Sequence, residues 1–294
     1  MLLDDLPPAF SLWRGLLSAL AGATVAGFVA LRFDAPIWVA PAVGVAIAAL
    51  AYLIATRKDR RRRRVAARPF PEAWRAILDE WVGFYRDLDA PARARFAREI
   101  AIFLDEQVIT GPRGAALDDE LKLLVAASAV VVVFGRPGFR YPQLRDVVVY
   151  DQAFDDEYNV KEDGNILGMV HGQGPILFSA RSLRQGFRGE HDGRNVGYHE
   201  FAHVLDFEYG RADGVPGFMP WGAIQPWLKE MHSETAKIEA HRSVLRNYAA
   251  ENEAEFFAVA TEVFFERPTQ LKKKAPELYA LLTRAYGQDP AERG

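Results

Sequence analysis

Two imidazoles four residues apart with a carboxylate beside the first, His199-Glu200-Phe201-Ala202-His203, have the HExxH spacing by which one helix supplies most of a hydrolytic zinc site. An α-helix turns about 100° per residue, so side chains four apart lie on one face a single turn from each other, and both rings can grip one ion. Glu200 stands about one rotational step away, beside the metal and not on it. From there it can take a proton from water and pass it to a leaving amine without becoming a ligand. The chemistry this predicts is hydrolysis of a peptide bond in a peptide or protein substrate, with one zinc ion per chain.

Catalytic zinc usually takes three protein ligands and keeps a fourth position for water. The chain has no cysteine, so the third ligand must be a histidine or a carboxylate. The extended motif that adds a third histidine needs Gly at 206 and His at 209; Asp206 and Tyr209 stand there instead, and that class is excluded. A downstream acid remains, and Glu251, Glu253, Glu255 and Glu262 are all in range. Glu255 runs straight into the apolar Phe256–Val259 segment, where an acid facing so much hydrophobic surface needs a reason. Glu262 falls on nearly the same face two turns later, as a ligand or as an acceptor behind one. Asp206, seven residues after His199 on the same face, could orient an imidazole or form a surface salt bridge. His171, His191, His232 and His241 have no ligand spacing with one another and read as structural or exposed.

The elements that must position these groups are mostly helical. Val196–Phe207 lacks proline, interleaves apolar with polar residues and follows the Gly/Asp/Asn-rich stretch 191–195, which can start a helix. Three- and four-residue apolar spacing predicts further helices over Pro71–Asp87, Pro91–Val108 and Leu117–Ser128. The β-branched runs Ala129–Gly135 and Asp146–Tyr150, with Pro175–Ser179, read as short strands. The last lies some twenty residues before the motif, as a receiving edge for extended substrate or as a plain core strand. Gly210–Gly222 reads as a long loop, followed by helices around Pro226–His241, Glu253–Phe265 and Pro276–Tyr286. The fold class is α+β, mostly α, with a small β-sheet.

Residues 1–56 are a different material. Gly15–Leu31 and Ala35–Thr56 are uncharged and flank the break Arg32-Phe33-Asp34; each approaches the roughly 20 residues of a bilayer span. Seven of the eight residues Arg57–Arg64 are basic, and such a cluster resists translocation. The expectation is a transmembrane helical hairpin contacting the lipid bilayer through residues 15–56, a basic juxtamembrane linker at 57–69 that meets anionic headgroups, and a catalytic domain at 70–294. It places the protein in the inner (cytoplasmic) membrane with the catalytic domain facing the cytoplasm. Asp4 and Asp5 occupy the place of a basic leader and argue against a cleaved signal peptide. A net charge of −3 excludes an overall electrostatic signature for nucleic acid.

From about Phe70 to Pro290 the chain resembles the Mlc titration factor A (MtfA) peptidases, zinc enzymes related in their catalytic domain to anthrax lethal factor. The resemblance is carried by Gly193-Arg194-Asn195-Val196 leading into the motif, by Gly174-Pro175-Ile176-Leu177, and by Tyr248-Ala249-Ala250 continuing through Ala254-Glu255-Phe256-Phe257-Ala258-Val259 to Phe264-Phe265. It implies a zincin-like domain of gluzincin type, with His199, His203 and Glu255 on zinc, Glu200 as the catalytic acid/base and Tyr248 stabilising the oxyanion. It also implies a second partner, a transcriptional regulator, and with it an alternative role as a membrane-tethered protein that sequesters that regulator. The N-terminal hairpin departs from the family pattern.

Overall fold

The predicted strand at Ala129–Gly135 is instead the end of the helix Asp119–Val133. Asp118 caps it by accepting from Leu121 N at 2.8 Å. Every side chain from Leu123 to Val133 is buried, so packing on all sides overrides the strand preference of the valine run. The computed structural model describes residues 8–33, 39–141, 144, 146–151, 175–189, 192–207 and 210–293. Asp34, His171, Gly174, His191 and Tyr209 lie outside them. The chain forms two units, Met1–Pro69 and Phe70–Gly294.

In the larger unit three short parallel strands, β1 (Ile109–Thr110), β2 (Val147–Tyr150) and β3 (Ile176–Ser179), lie side by side in that order. Val147 pairs with Ile109 on one side and with Ile176 on the other. Parallel pairing requires a crossover, and between β1 and β2 it includes the Asp119–Val133 helix. The strands predicted at 146–150 and 175–179 are β2 and β3, whereas β1, with two residues, carries no sequence pattern.

Helices build the rest. Glu72–Trp81, Gly83–Arg86 and Ala90–Glu106 precede the sheet, and Ala180–Arg188 follows β3. The motif helix is Val196–Asp206. Trp221–Glu239 begins earlier than its predicted start and keeps Pro226 inside. An acidic helix, Glu253–Glu266, is followed by Pro268–Lys274 and Pro276–Tyr286. The motif helix packs against the Asp119–Val133 helix so closely that a Cβ at Gly197 would overlap the Ser128 hydroxyl. Phe201, fully buried, meets Phe178 of β3 at 6.2 Å between ring centroids. The acidic helix covers another side with Phe256, Phe257 and Phe264, all buried.

In the smaller unit Pro8–Phe33 and Val39–Ala55 pack along each other, and Arg57–Ala66 continues the chain as a third helix. Arg32 and Phe33 of the predicted break are therefore helical. A Cβ at Gly22 would overlap the Gly44 carbonyl, the close backbone approach that small residues permit. Among the described residues no single helix is long and apolar enough to cross a membrane; Pro41–Ala55 and Arg57–Ala66, bent by 48°, pass that test only as a pair.

Candidate metal centre

Asn195 starts the motif helix, its side-chain oxygen accepting from Tyr198 N at 3.1 Å. Asn252 starts the acidic helix in the same way, accepting from Glu255 N at 2.9 Å. These caps satisfy otherwise orphaned amides, and they fix where His199 and Glu255 fall. His199 Nε2 and His203 Nε2 are 3.2 Å apart. The Glu255 carboxylate closes the triangle, 3.1 Å from the first and 3.4 Å from the second. One ligand atom from each of the three residues lies within 4.8 Å of the others.

Glu262 Oε1 accepts from His199 Nδ1 at 2.7 Å. With Nδ1 protonated by that bond, Nε2 of a neutral imidazole presents a lone pair to the Glu255 carboxylate. Glu255 Oε2 is buried and has no hydrogen-bond partner, although His199 Nε2 is 3.1 Å away. The contact is close but not directed as a hydrogen bond. Lone-pair atoms crowded around one point, with a buried carboxylate oxygen left over, fit a cation. Two nitrogens and a carboxylate without thiolates suit zinc and other divalent first-row metals.

A proton and a cation compete for the same lone pairs, and the acids around His199 favour either positive charge. Burial alone would lower the His199 pKa, yet the Glu262 and Glu255 carboxylates push it up to about 10. Burial would raise the Glu255 pKa, but the His199 and His203 imidazoles close beside it hold it well below the usual carboxylate range. Glu262, fully buried, is also held low against desolvation, by His199 and by Arg246. Arg246 reaches it with Nη1 at 3.0 Å and Nη2 at 2.7 Å, and Asn195 N donates to it at 2.8 Å. Half-buried Glu200 is raised by burial, an effect the two imidazoles reduce.

Tyr248 lies in the turn Asn247–Ala250, its ring 6.0 Å from that of His199. Burial first, then the Glu255 charge, raises its hydroxyl pKa and keeps the proton on. Of the four candidate acids, Glu255 joins the histidines, Glu262 stands behind His199, and Glu251 and Glu253 are exposed. Among the described residues no imidazole donates to Asp206; it is buried and its Oδ2 accepts from Gly214 N at 2.9 Å. His232 and His241 are exposed and outside the cluster. Two contributors are not singled out by the sequence pattern. Asn195 reads there only as part of a helix start, although an Asn before an apolar-periodic run is itself a cap signal. Arg246 lies in an irregular segment with no periodicity to flag it.

The profile described as glucose-regulated metallo-peptidase M90 matches residues 56–287. The chain is 30% identical over 246 residues to the uncharacterized protein slr2042 of Synechocystis, covering 79% of this chain and 90% of that protein. It is 28% identical over 233 residues to Mlc titration factor A of Salmonella arizonae, covering 70% of this chain and 88% of the relative. Mlc titration factor A of Salmonella paratyphi B matches at the same identity, with 83% of the relative covered.

Proposed function

The chain belongs to the Mlc titration factor A family, the glucose-regulated M90 metallopeptidases, and from that premise we propose that it is a zinc-dependent peptidase of gluzincin type. The observation that carries the proposal is the convergence of His199, His203 and Glu255 on one point, with Glu262 fixing His199 from behind. Zinc held by these three residues supplies Lewis acidity toward water and the scissile carbonyl. Glu200 takes the proton of the attacking water, and as the C–N bond breaks it delivers that proton to the leaving amine. Its burial-raised pKa suits both halves of that task. The Tyr248 hydroxyl donates to the oxyanion that forms on the carbonyl. β3 is one of the two edge strands of the sheet among the described residues, which supports pairing with an extended substrate segment.

The membrane reading belongs to the same proposal. Ten large apolar side chains stand exposed among the described residues, and eight of them, including Leu17, Phe28, Val45 and Ile54, belong to the N-terminal unit. Together with the basic helix that follows, they support contact with a bilayer and a cytoplasmic catalytic unit. A second reading, a membrane-tethered binder of a transcriptional regulator, draws on the name of the Salmonella relatives.

Metal analysis of Glu255→Ala and Glu200→Gln, with cleavage of a peptide library with and without chelator, tests the assignment. Glu255→Ala should lose both metal and turnover. Glu200→Gln should keep the metal and lose on the order of 10²- to 10⁴-fold in rate. Wild-type turnover in Glu200→Gln would remove that residue from the mechanism, and an effect in cells that survives this substitution would favour the binding role.

A further inference from the structure

Arg246 lies between the Trp221–Glu239 helix and the turn Asn247–Ala250. Its backbone belongs to that turn, the Arg246 carbonyl accepting from Ala249 N at 3.0 Å, and Leu245 beside it is buried. The side chain, 21% exposed, meets fully buried Glu262. Both terminal nitrogens donate there, Nη1 to Oε2 at 3.0 Å and Nη2 to Oε1 at 2.7 Å. Two parallel bonds of this kind set the plane of a guanidinium as well as its position.

The same guanidinium has an aromatic neighbour. Its central carbon stands 5.6 Å from the centroid of the Tyr248 ring, within reach of the attraction between a cation and an aromatic face. The His199 ring lies 6.0 Å from that phenol ring, tilted by 33°, and His199 Nδ1 meets Glu262 at 2.7 Å. Glu262, Arg246, Tyr248 and His199 therefore form a closed circuit of neighbours. Tyr248 is half-buried on a turn of four residues, so its ring keeps rotamer freedom unless a neighbour restricts it. A lysine at 246 would neutralise Glu262, but as a point charge it would present no plane to the ring.

We infer that Arg246 is a positioning residue for the oxyanion donor. Held in plane by Glu262, it keeps the Tyr248 hydroxyl in a fixed place relative to His199, so that the proton donor and the metal ligand stay in register. The effect on turnover rests on the peptidase reading, whereas the placement of the ring does not.

The test compares the zinc-loaded full chain as wild type, Arg246→Gln, Arg246→Lys, Tyr248→Phe and the double variant Arg246→Gln with Tyr248→Phe. Peptide cleavage gives kcat and KM, and NMR of isotope-labelled tyrosine, assigned at 248 by its loss in Tyr248→Phe, reports the ring. Arg246→Gln should lower kcat about tenfold with KM within about twofold, because a small displacement of a catalytic group is felt in the transition state. In the Tyr248→Phe background the same substitution should cost less than about twofold, since two residues that act through one group are not additive. The Tyr248 resonance should shift in Arg246→Gln and in Arg246→Lys, which keeps the charge and loses the fork.

Losses that multiply in the double variant would route the effect of Arg246 through Glu262 and the metal, and would overturn the inference. A Tyr248 resonance unmoved in both Arg246 variants would overturn it too. If Arg246→Gln does not fold, Arg246→Lys, which leaves Glu262 its counter-charge, takes its place in the same cycle. If the wild type cleaves no peptide, the peptidase reading fails by itself, and the resonance alone decides whether Arg246 places the ring.

Discussion

At the scale of single residues, Glu262 decides how well the centre is set. It is fully buried and accepts from His199, Arg246 and the Asn195 amide, so it neutralises the arginine and fixes which imidazole nitrogen faces the metal. Partners of this kind typically contribute 10- to 100-fold in metal affinity. Glu262→Gln should weaken metal binding by about that factor and lower the melting temperature, since Arg246 loses its counter-charge; competition with a chromophoric chelator and a thermal melt read the two effects. Tyr248 works differently, through a proton that burial and Glu255 keep in place. Tyr248→Phe should slow turnover by roughly 10²-fold while bound metal stays at the wild-type level, and loss of metal would reassign Tyr248 to holding Glu255.

At the scale of elements, what could be read in advance depended on whether an element shows two unlike faces. The motif helix does, and its type, its extent and the pairing of His199 with His203 were legible. The run Ala129–Val133 shows none, because all its side chains are buried, and a β-branched stretch without a period reads as a strand wherever it sits. The helix Ala180–Arg188 escaped notice although Ser179 caps it and Leu183 and Phe187 share its inner face; β1, with two residues, is too short for any pattern. The site was more legible than the fold, since Glu255 is singled out by the apolar run behind it, whereas Arg246 acts from an irregular turn. Asp206 was legible as a residue but not in its role. It ties the end of the motif helix to the following loop through Gly214 N, and Gly214 O in turn accepts from Trp227 Nε1 at 2.7 Å. Burial raises its pKa from 3.8 to about 7, against the pull of the Gly214 bond. A group raised on folding makes the native state bind the extra proton, so its contribution is fully present below the unfolded pKa and is lost as pH climbs through about 7. In chelated protein, Asp206→Asn should therefore gain melting temperature relative to wild type at about pH 8 compared with about pH 4. An equal difference at both values would refute an ionising Asp206.

At the scale of the whole molecule, the proposal joins a hydrolytic unit to an apolar helix pair through a helix rich in arginine. The absence of cysteine makes the arrangement directly testable by single-site labelling. In the proposed topology Asp34→Cys should react with an impermeant maleimide from outside intact cells, and Gln270→Cys only after lysis. Moving Arg60–Arg64 to the other end of the pair should disturb that pattern, and an unchanged pattern would count against the basic helix as its determinant. The two histidines and Glu255 also come from helices far apart along the chain, with fifty-two positions from His203 to Glu255. A cation shared between them would act as a removable clasp on that stretch, adding stability in proportion to the logarithm of the free metal concentration. Scarcity of the ion would then do more than silence the enzyme: it would leave a looser polypeptide for other proteases to degrade, tying the protein's lifetime to the metal supply.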